Sequence, residues 1–321
     1  MVKVGVPWWI DPEWCSRFPA GIEIQRIEAA PQRGIEVEFW IAPISPKEAA
    51  QALPHLTGLR VVQSLYAGVD WLLKMLPPGL VLCDAQGLHN IPTAEWTVAA
   101  ILAALKHFPF YFDLQHASDW RRRRQVDERY RALFPDTPKS LPAVLQEELY
   151  GKRVLIVGYG SIGQSIEERL VPFGVEIVRV ARGARDGVES IARLLDLLPA
   201  ADIVVLIVPL TPETIGMIGE RELAAMKQGA LLVNAARGPV VKTDALLAAL
   251  ESGNIRAVAD VTDPEPLPDD HPLWKAPNLL ITPHVAASSD MFLPRAIEFA
   301  AGQLSRYLKG EPLENVVTGH Y

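Results

Sequence analysis

The chain has 321 residues, 49% hydrophobic and 21% charged, which is room for two compact domains at about 150 residues each and too apolar for general disorder. A net charge of -7 disfavours polyanionic partners such as nucleic acid, and no run of roughly 18 apolar residues offers a membrane span. Only Cys15 and Cys83 are present, outside any CxxC or Cys/His cluster, so neither a disulfide framework nor a zinc site is expected and a reducing cytoplasm fits best.

The opening MVKVGVPWWIDPEW has one early lysine and no long apolar run behind it, which does not read as a secretory signal. VKVGVP, VEFWIA, LRVVQSL and VLCDA then read as short strands, separated by helix-like pieces such as SPKEAAQAL and VDWLLKML. They predict a small α/β unit. Thr93 to Lys106 is apolar, of helical composition and without internal Gly or Pro, so it predicts a helix that bridges to the next unit. The cationic run Arg121 to Arg124 has only Trp120 as an aromatic neighbour, and reads as a solvated face or a subunit contact. Gln125 to Pro142, with three prolines and mixed charges, reads as a surface excursion.

From Lys152 onward, apolar runs alternate with amphipathic ones: RVLIVG and QSIEERLVPF, EIVRVA and ESIARLLDLL, DIVVLIVP and GERELAAM, ALLVNAA and KTDALLAALES, then AVADV and NLLITP. Strands that are apolar throughout are buried on both faces, and their alternation with helices predicts a doubly wound parallel sheet. Asp290 to Lys309 predicts a closing helix that returns to the first unit.

Between the first strand and helix of that sheet stands GYGSIG. Gly158 can make the tight turn, Gly160 lets backbone approach a pyrophosphate, and Gly163 allows close helix–strand packing. The helix N-terminus behind them supplies amide donors and the positive dipole end. At the end of the next strand, about 20 residues on, an NAD site typically offers an acid to the ribose hydroxyls. Here the strand ends on Ala181, followed by Arg182 and, three further along, Arg185. Guanidinium groups can donate paired hydrogen bonds to a 2′-phosphate that a carboxylate would repel, so NADPH is the expected cofactor, preferred over NADH. Both arginines can also merely solvate a loop.

Three later stretches, LLVNAARGPVVKTDALLAAL, VADVTDPEPLPDDHPLW and NLLITPHVAAS, each set polar groups just beyond an apolar strand, where open α/β sheets bind ligands. Together with YAGVD at 66–70 and GYGSIG, they resemble the D-isomer-specific 2-hydroxyacid dehydrogenases, particularly the glyoxylate/hydroxypyruvate reductase branch. The resemblance implies a Rossmann nucleotide domain, 96–285, inserted in a smaller flavodoxin-like substrate domain made of 1–95 and 286–321. It assigns Arg237, Glu265 and His284 as the catalytic residues. Chemistry suits them: Arg237 can clamp a 2-keto acid's carboxylate and polarise its carbonyl, and an imidazole, ordinarily titrating near pH 6.5, can protonate the oxygen formed by hydride addition. A Glu265 carboxylate beside the ring would favour the imidazolium and fix its orientation, and no metal is required. Singly, each also has a structural reading, as a strand cap, a solvated loop residue or a buried histidine.

The resemblance further implies that the Ala67 and Gly68 amides hold the substrate carboxylate. Ser161 and Ile162 would contact the pyrophosphate, Val208, Pro209 and Thr214 would wall the adenosine side, Ala235 would line the cofactor site, and Asp260 would face the nicotinamide carboxamide. Pro209 and Asp260 can instead shape turns. The histidines at 55, 89, 107, 116, 271 and 320 read as structural, and Trp8 and Trp9 either narrow the substrate pocket or belong to the core. The function expected is reduction of glyoxylate or hydroxypyruvate to the D-2-hydroxy acid by a homodimer, with a phenylpyruvate-type reductase and a non-catalytic NAD(P)-sensing scaffold as alternatives.

Overall fold

A computed structural model describes residues 1–143 and 146–318. They form two compact units, Met1–His89 with the described residues from Ser289 onward, and Asn90–Ser288. His320 lies outside the described residues.

The first unit holds five parallel strands in the order Ile22–Ile27, Val2–Pro7, Phe39–Ile41, Val61–Gln63, Val81–Cys83. In chain order this is 2-1-3-4-5, the flavodoxin-like arrangement. Side chains alternate across a strand, so Phe39, Ile41 and Val61 face the closing helix through Ala296, Ile297, Ala300 and Leu304, while Trp40 and Val62 face Ala49, Ala52 and Leu72 on the other side. Burial on both faces explains the continuous apolar runs. The edge strand Ile22–Ile27, sequence IEIQRI, was not expected. At the sheet's edge Glu23, Ile24 and Arg26 are exposed, so half its residues are polar and the run lacks the apolar continuity of its neighbours. The closing helix runs Phe292–Lys309.

The second unit carries seven parallel strands in the order Glu189–Ser190, Glu176–Ala181, Arg153–Val157, Ile203–Leu206, Leu231–Asn234, Arg256–Ala259, Leu279–Ile281. Counted along the chain this is 3-2-1-4-5-6-7, a doubly wound Rossmann sheet whose order reverses between Arg153–Val157 and Ile203–Leu206. Leu155, Val157, Val204 and Leu206 pack on one face, and Val154, Ile156, Ile203 and Val205 on the other, beneath helices Asn90–Leu105 and Ser161–Leu170.

Three local expectations change. The helix expected to bridge the units falls wholly within the second, and it begins at Asn90, ahead of Thr93, because Pro92 sits in its first turn, where a missing N–H costs nothing. ESIARLLDLL forms the short edge strand Glu189–Ser190, a 3-10 turn and the four-residue helix Leu194–Leu197, which gives way before Pro199. The 125–142 segment is not all excursion: Gln125–Leu133 is helical and buries Val126 against Phe110 and Leu114. Its prolines lie beyond the helix.

Candidate active site

The glycine loop lies where the sheet order reverses. Gly158 has φ +107°, and a Cβ there would come 2.5 Å from the Ile207 carbonyl oxygen, so neither the turn nor the close approach to the neighbouring strand tolerates a side chain. A Cβ at Gly163 would sit 2.8 Å from the Gly158 carbonyl oxygen, the close helix–strand packing expected of the third glycine. Gly160 caps helix Ser161–Leu170 without a side-chain hydrogen bond, and around its Cβ position the space is open. The first-turn amides, among them Ser161 and Ile162, therefore present the positive end of a ten-residue helix to an anion. A dinucleotide pyrophosphate fits this loop.

Arg182 and Arg185 both lie on the surface beyond strand Glu176–Ala181. Their settings differ. Arg185 reaches back so that Nη2 donates to the Tyr159 carbonyl in the glycine loop, at 2.6 Å, and its backbone pairs with Val188. The Arg182 guanidinium has no hydrogen-bond or ion-pair partner among the described residues. Sequence reasoning missed a third arginine. Arg179, inside the strand, donates from Nε to Glu167 at 2.7 Å and makes a second bond from Nη2, while the Tyr159 hydroxyl donates to the same carboxylate at 2.5 Å. The Arg179 hydrogen bonds hold the Glu167 carboxyl below its ordinary range. Arg179 is thus committed to fastening the glycine loop's helix to the next strand.

On the other half of the sheet, three adjacent strands end in Asn234, Ala259 and Ile281. Beyond the first, the Asn234 side chain accepts from the Ala236 amide at 3.1 Å and donates to the Arg237 carbonyl at 3.2 Å, which closes the turn that carries Arg237. The Ala235 amide bonds the Leu206 carbonyl, and Arg237 Nη1 donates to the Ala236 carbonyl at 2.8 Å. Gly238 follows. A Cβ there would lie 1.9 Å from the Thr262 carbonyl oxygen, so only glycine lets this turn lie against the VTDPEP loop that leads to Glu265. Thr243 Oγ1 ties the same loop down through the Asp263 carbonyl at 2.7 Å.

Beyond the third strand, His284 has φ +54° and sets its Nδ1 2.5 Å from Glu265 Oε1, with both side chains partly exposed. The His284 amide bonds the Asp260 carbonyl at 2.7 Å. Asp260 is 2% exposed, and its carboxylate accepts from Thr282 Oγ1 and the Val285 amide on one oxygen and from the Ala286 amide on the other. The residue expected at the nicotinamide carboxamide thus spends its side chain on the turn that carries His284. Asn234, Gly238 and Thr282 were missed as site residues; the strand-end polar residues Asn234 and Thr282 are the signal that could have found them.

Thr214 Oγ1 donates to the Pro209 carbonyl at 2.7 Å and accepts from the Thr211 amide, closing the loop after Val208. His271 Nδ1 accepts from the Leu273 amide at 3.2 Å, a structural cap. In the first unit, Trp9 packs against the core and Trp8 is about half exposed. Among the described residues no group of three or more His, Cys, Asp or Glu is gathered as a metal-ligand set, and no helix is long and apolar enough to cross a membrane.

Residues 98–286 match the family model described as D-isomer specific 2-hydroxyacid dehydrogenase, NAD binding domain. The chain belongs to this family. The dehydrogenase is 34% identical to a glyoxylate reductase of Thermofilum pendens over 84% of its own length and 77% of that protein's. It is 35% identical to a D-3-phosphoglycerate dehydrogenase of Methanocaldococcus jannaschii over 81% of its length, but spans only 47% of that longer protein. Among solved structures, the NADPH-dependent glyoxylate/hydroxypyruvate reductase of Sinorhizobium meliloti, in complex with NADP and sulfate, is similar with a TM-score of 0.78 and 28% identity, covering 99% of this chain and 98% of that one. The dehydrogenase is accordingly an NAD(P)-dependent oxidoreductase with a Rossmann nucleotide domain.

Proposed function

We propose that the enzyme reduces a small 2-keto acid of the glyoxylate or hydroxypyruvate type to the D-2-hydroxy acid, with NADPH as the preferred reductant. The observation that carries this reading is the 2.5 Å pairing of His284 Nδ1 with Glu265 at the carboxyl edge of the sheet. A carboxylate accepts the Nδ1 proton, so Nε2 is the nitrogen left to give a proton to substrate. When bound, the reduced nicotinamide supplies a hydride to the keto carbon. The Arg237 guanidinium holds the substrate carboxylate and polarises the carbonyl, and the Ala67 and Gly68 amides take part in holding the same carboxylate. As negative charge grows on the carbonyl oxygen, His284 delivers its proton there, and the Glu265 carboxylate keeps the resulting imidazole oriented for reprotonation. Asn234 and Gly238 keep Arg237 in place, and Asp260 does the same for His284.

Support for NADPH comes from Ala181 standing where an acid would reject a 2′-phosphate and from Arg182 and Arg185 beyond it, with an NADP complex known for the similar S. meliloti enzyme. Ser161 and Ile162 hold the pyrophosphate, and Val208, Pro209, Thr214 and Ala235 wall the cofactor. We also infer a homodimer joined through the nucleotide-binding units, which light scattering tests; a monomer alone would refute it.

The decisive experiment follows NADPH consumption with a panel of 2-keto acids for the wild type and Arg237→Ala. The wild type turns over glyoxylate or hydroxypyruvate, and the variant loses about a hundredfold or more in kcat while retaining NADPH binding. Unchanged turnover in the variant would refute the mechanism. Tight NADPH binding without oxidation by any acid would leave a nucleotide sensor.

A further inference from the structure

The glycine loop contains one aromatic residue, Tyr159, and each of its polar groups is engaged by a different segment of the nucleotide-binding unit. Its amide donates to the Val180 carbonyl at 2.9 Å, and its carbonyl accepts from Arg185 Nη2 at 2.6 Å. The ring packs against the core that holds Ile156 and Ile166. Residues 163 and 167 are four apart and so share a face of helix Ser161–Leu170. The ring runs along that face, close enough to Gly163 that a Cβ there would stand 3.5 Å from Tyr159 Cδ2. The hydroxyl reaches Glu167, one turn further on, and donates to Oε2 at 2.5 Å.

Glu167 is itself anchored. Arg179, in strand Glu176–Ala181, donates to Oε2 from Nε at 2.7 Å and to Oε1 from Nη2, and its guanidinium carbon lies 5.6 Å from the Tyr159 ring centroid. Burial, and then the bond to Glu167, push the phenol above its ordinary range, while the Arg179 hydrogen bonds hold the carboxyl below its own. The tyrosine therefore stays the donor and the carboxylate the acceptor.

The pair of Arg179 and Glu167 by itself joins helix to strand. The hydroxyl makes a residue of the loop part of that joint. Directly after Tyr159 comes Gly160, the cap of the helix whose first-turn amides are the donors offered to an anion, so the tie governs where those donors point. A glycine-rich segment without such a tie has more conformations to lose when a ligand orders it, and the loss is taken from affinity.

We propose that Tyr159 is a positioning residue for the cofactor, whose hydroxyl, acting through Glu167 and Arg179, holds the glycine loop in the shape that receives the pyrophosphate. This rests on the reading that Ser161 and Ile162 hold that group. NADPH and NADH share the pyrophosphate, so the tie serves both equally and leaves the binding of the keto acid untouched.

The test measures dissociation constants for NADPH and NADH, with steady-state kinetics, in the wild type, Tyr159→Phe, Glu167→Gln and the double variant. Tyr159→Phe keeps the ring and its packing. It weakens both dinucleotides about tenfold, the lower end for one hydrogen bond to a carboxylate, and raises KM for NADPH to match. At saturating NADPH, kcat and the KM of the keto acid stay within about twofold of the wild type, as expected when only cofactor binding is lost. The double variant binds no more weakly than the weaker single one, because both remove the same tie. Unchanged dinucleotide affinity in Tyr159→Phe, whatever happens to its stability, overturns the proposal and leaves the three side chains a structural joint. Losses that add in the double variant overturn it as well, since the hydroxyl then does not act through Glu167. A wild type that binds neither dinucleotide fails at the underlying reading, which its own titration reveals.

Discussion

Gly238 is the residue on which the geometry of the proposed catalytic groups turns. With 1.9 Å between its Cβ position and the Thr262 carbonyl, even the smallest side chain must push apart the turn carrying Arg237 and the loop leading to Glu265. Both segments are tied elsewhere, one by Asn234 and the other by Thr243, so the strain has no soft outlet. We therefore expect Gly238→Ala to cost about 2–4 kcal/mol in chemical unfolding and to lower kcat much more than KM for the cofactor. Thr243→Val, which removes a single exposed hydrogen bond, should cost only about 1 kcal/mol. Equal stability of the two variants would show that the close approach is not maintained in solution.

At the scale of elements, the glycine loop and the strand beside it divide the labour between their arginines. Arg185 donates to the Tyr159 carbonyl and so shapes the loop itself, whereas the Arg182 guanidinium has no partner among the described residues and, on the proposed reading, is left to the cofactor's 2′-phosphate. Arg182→Ala should then lower kcat/KM for NADPH about tenfold or more and scarcely change that for NADH, since a charge-assisted bond contributes about 1.5–3 kcal/mol. Arg185→Ala should lower both. If both variants depress NADH and NADPH alike, neither arginine reads the 2′-phosphate. Much of this was legible in the sequence. The strand, GYGSIG and the helix announced themselves through continuous apolar runs and glycine spacing, both local properties. What escaped was set by distant partners or by an edge position: the strand Ile22–Ile27 mixes polar and apolar residues instead of running apolar, and Arg179 looks like its neighbours until Glu167 is placed opposite it. A glycine such as Gly238 also looks ordinary in sequence, because its necessity lies in the Thr262 backbone 24 positions away.

For the whole molecule, acid should act unevenly, because the carboxylates held by internal cations cluster in the nucleotide-binding unit. Glu147 is buried with Arg256 at 2.6 Å and Lys152 at 3.2 Å. Burial opposes its ionisation, but the two cations and their hydrogen bonds prevail and hold its carboxyl below the ordinary range; Glu167 and Asp202 are lowered as well, by Arg179 and by Lys227 with the Arg153 amide. A carboxyl with a depressed folded pKa stabilises fully above its unfolded value, near 4, and loses that contribution as pH falls through the folded value. Stability of the 90–288 unit should therefore be flat from about pH 7 to 5 and decline steeply below 4. With two units present, unfolding need not be a single transition, so site-specific hydrogen exchange is the appropriate measurement. Glu147→Gln should destabilise this unit by about 3–5 kcal/mol at pH 7, since it leaves Arg256 buried without its counter-charge, and should flatten the acid slope by removing one titrating group. An acid profile parallel to the wild type's would mean that Glu147 is not ionised in the folded protein, and the buried pair would then contribute packing alone.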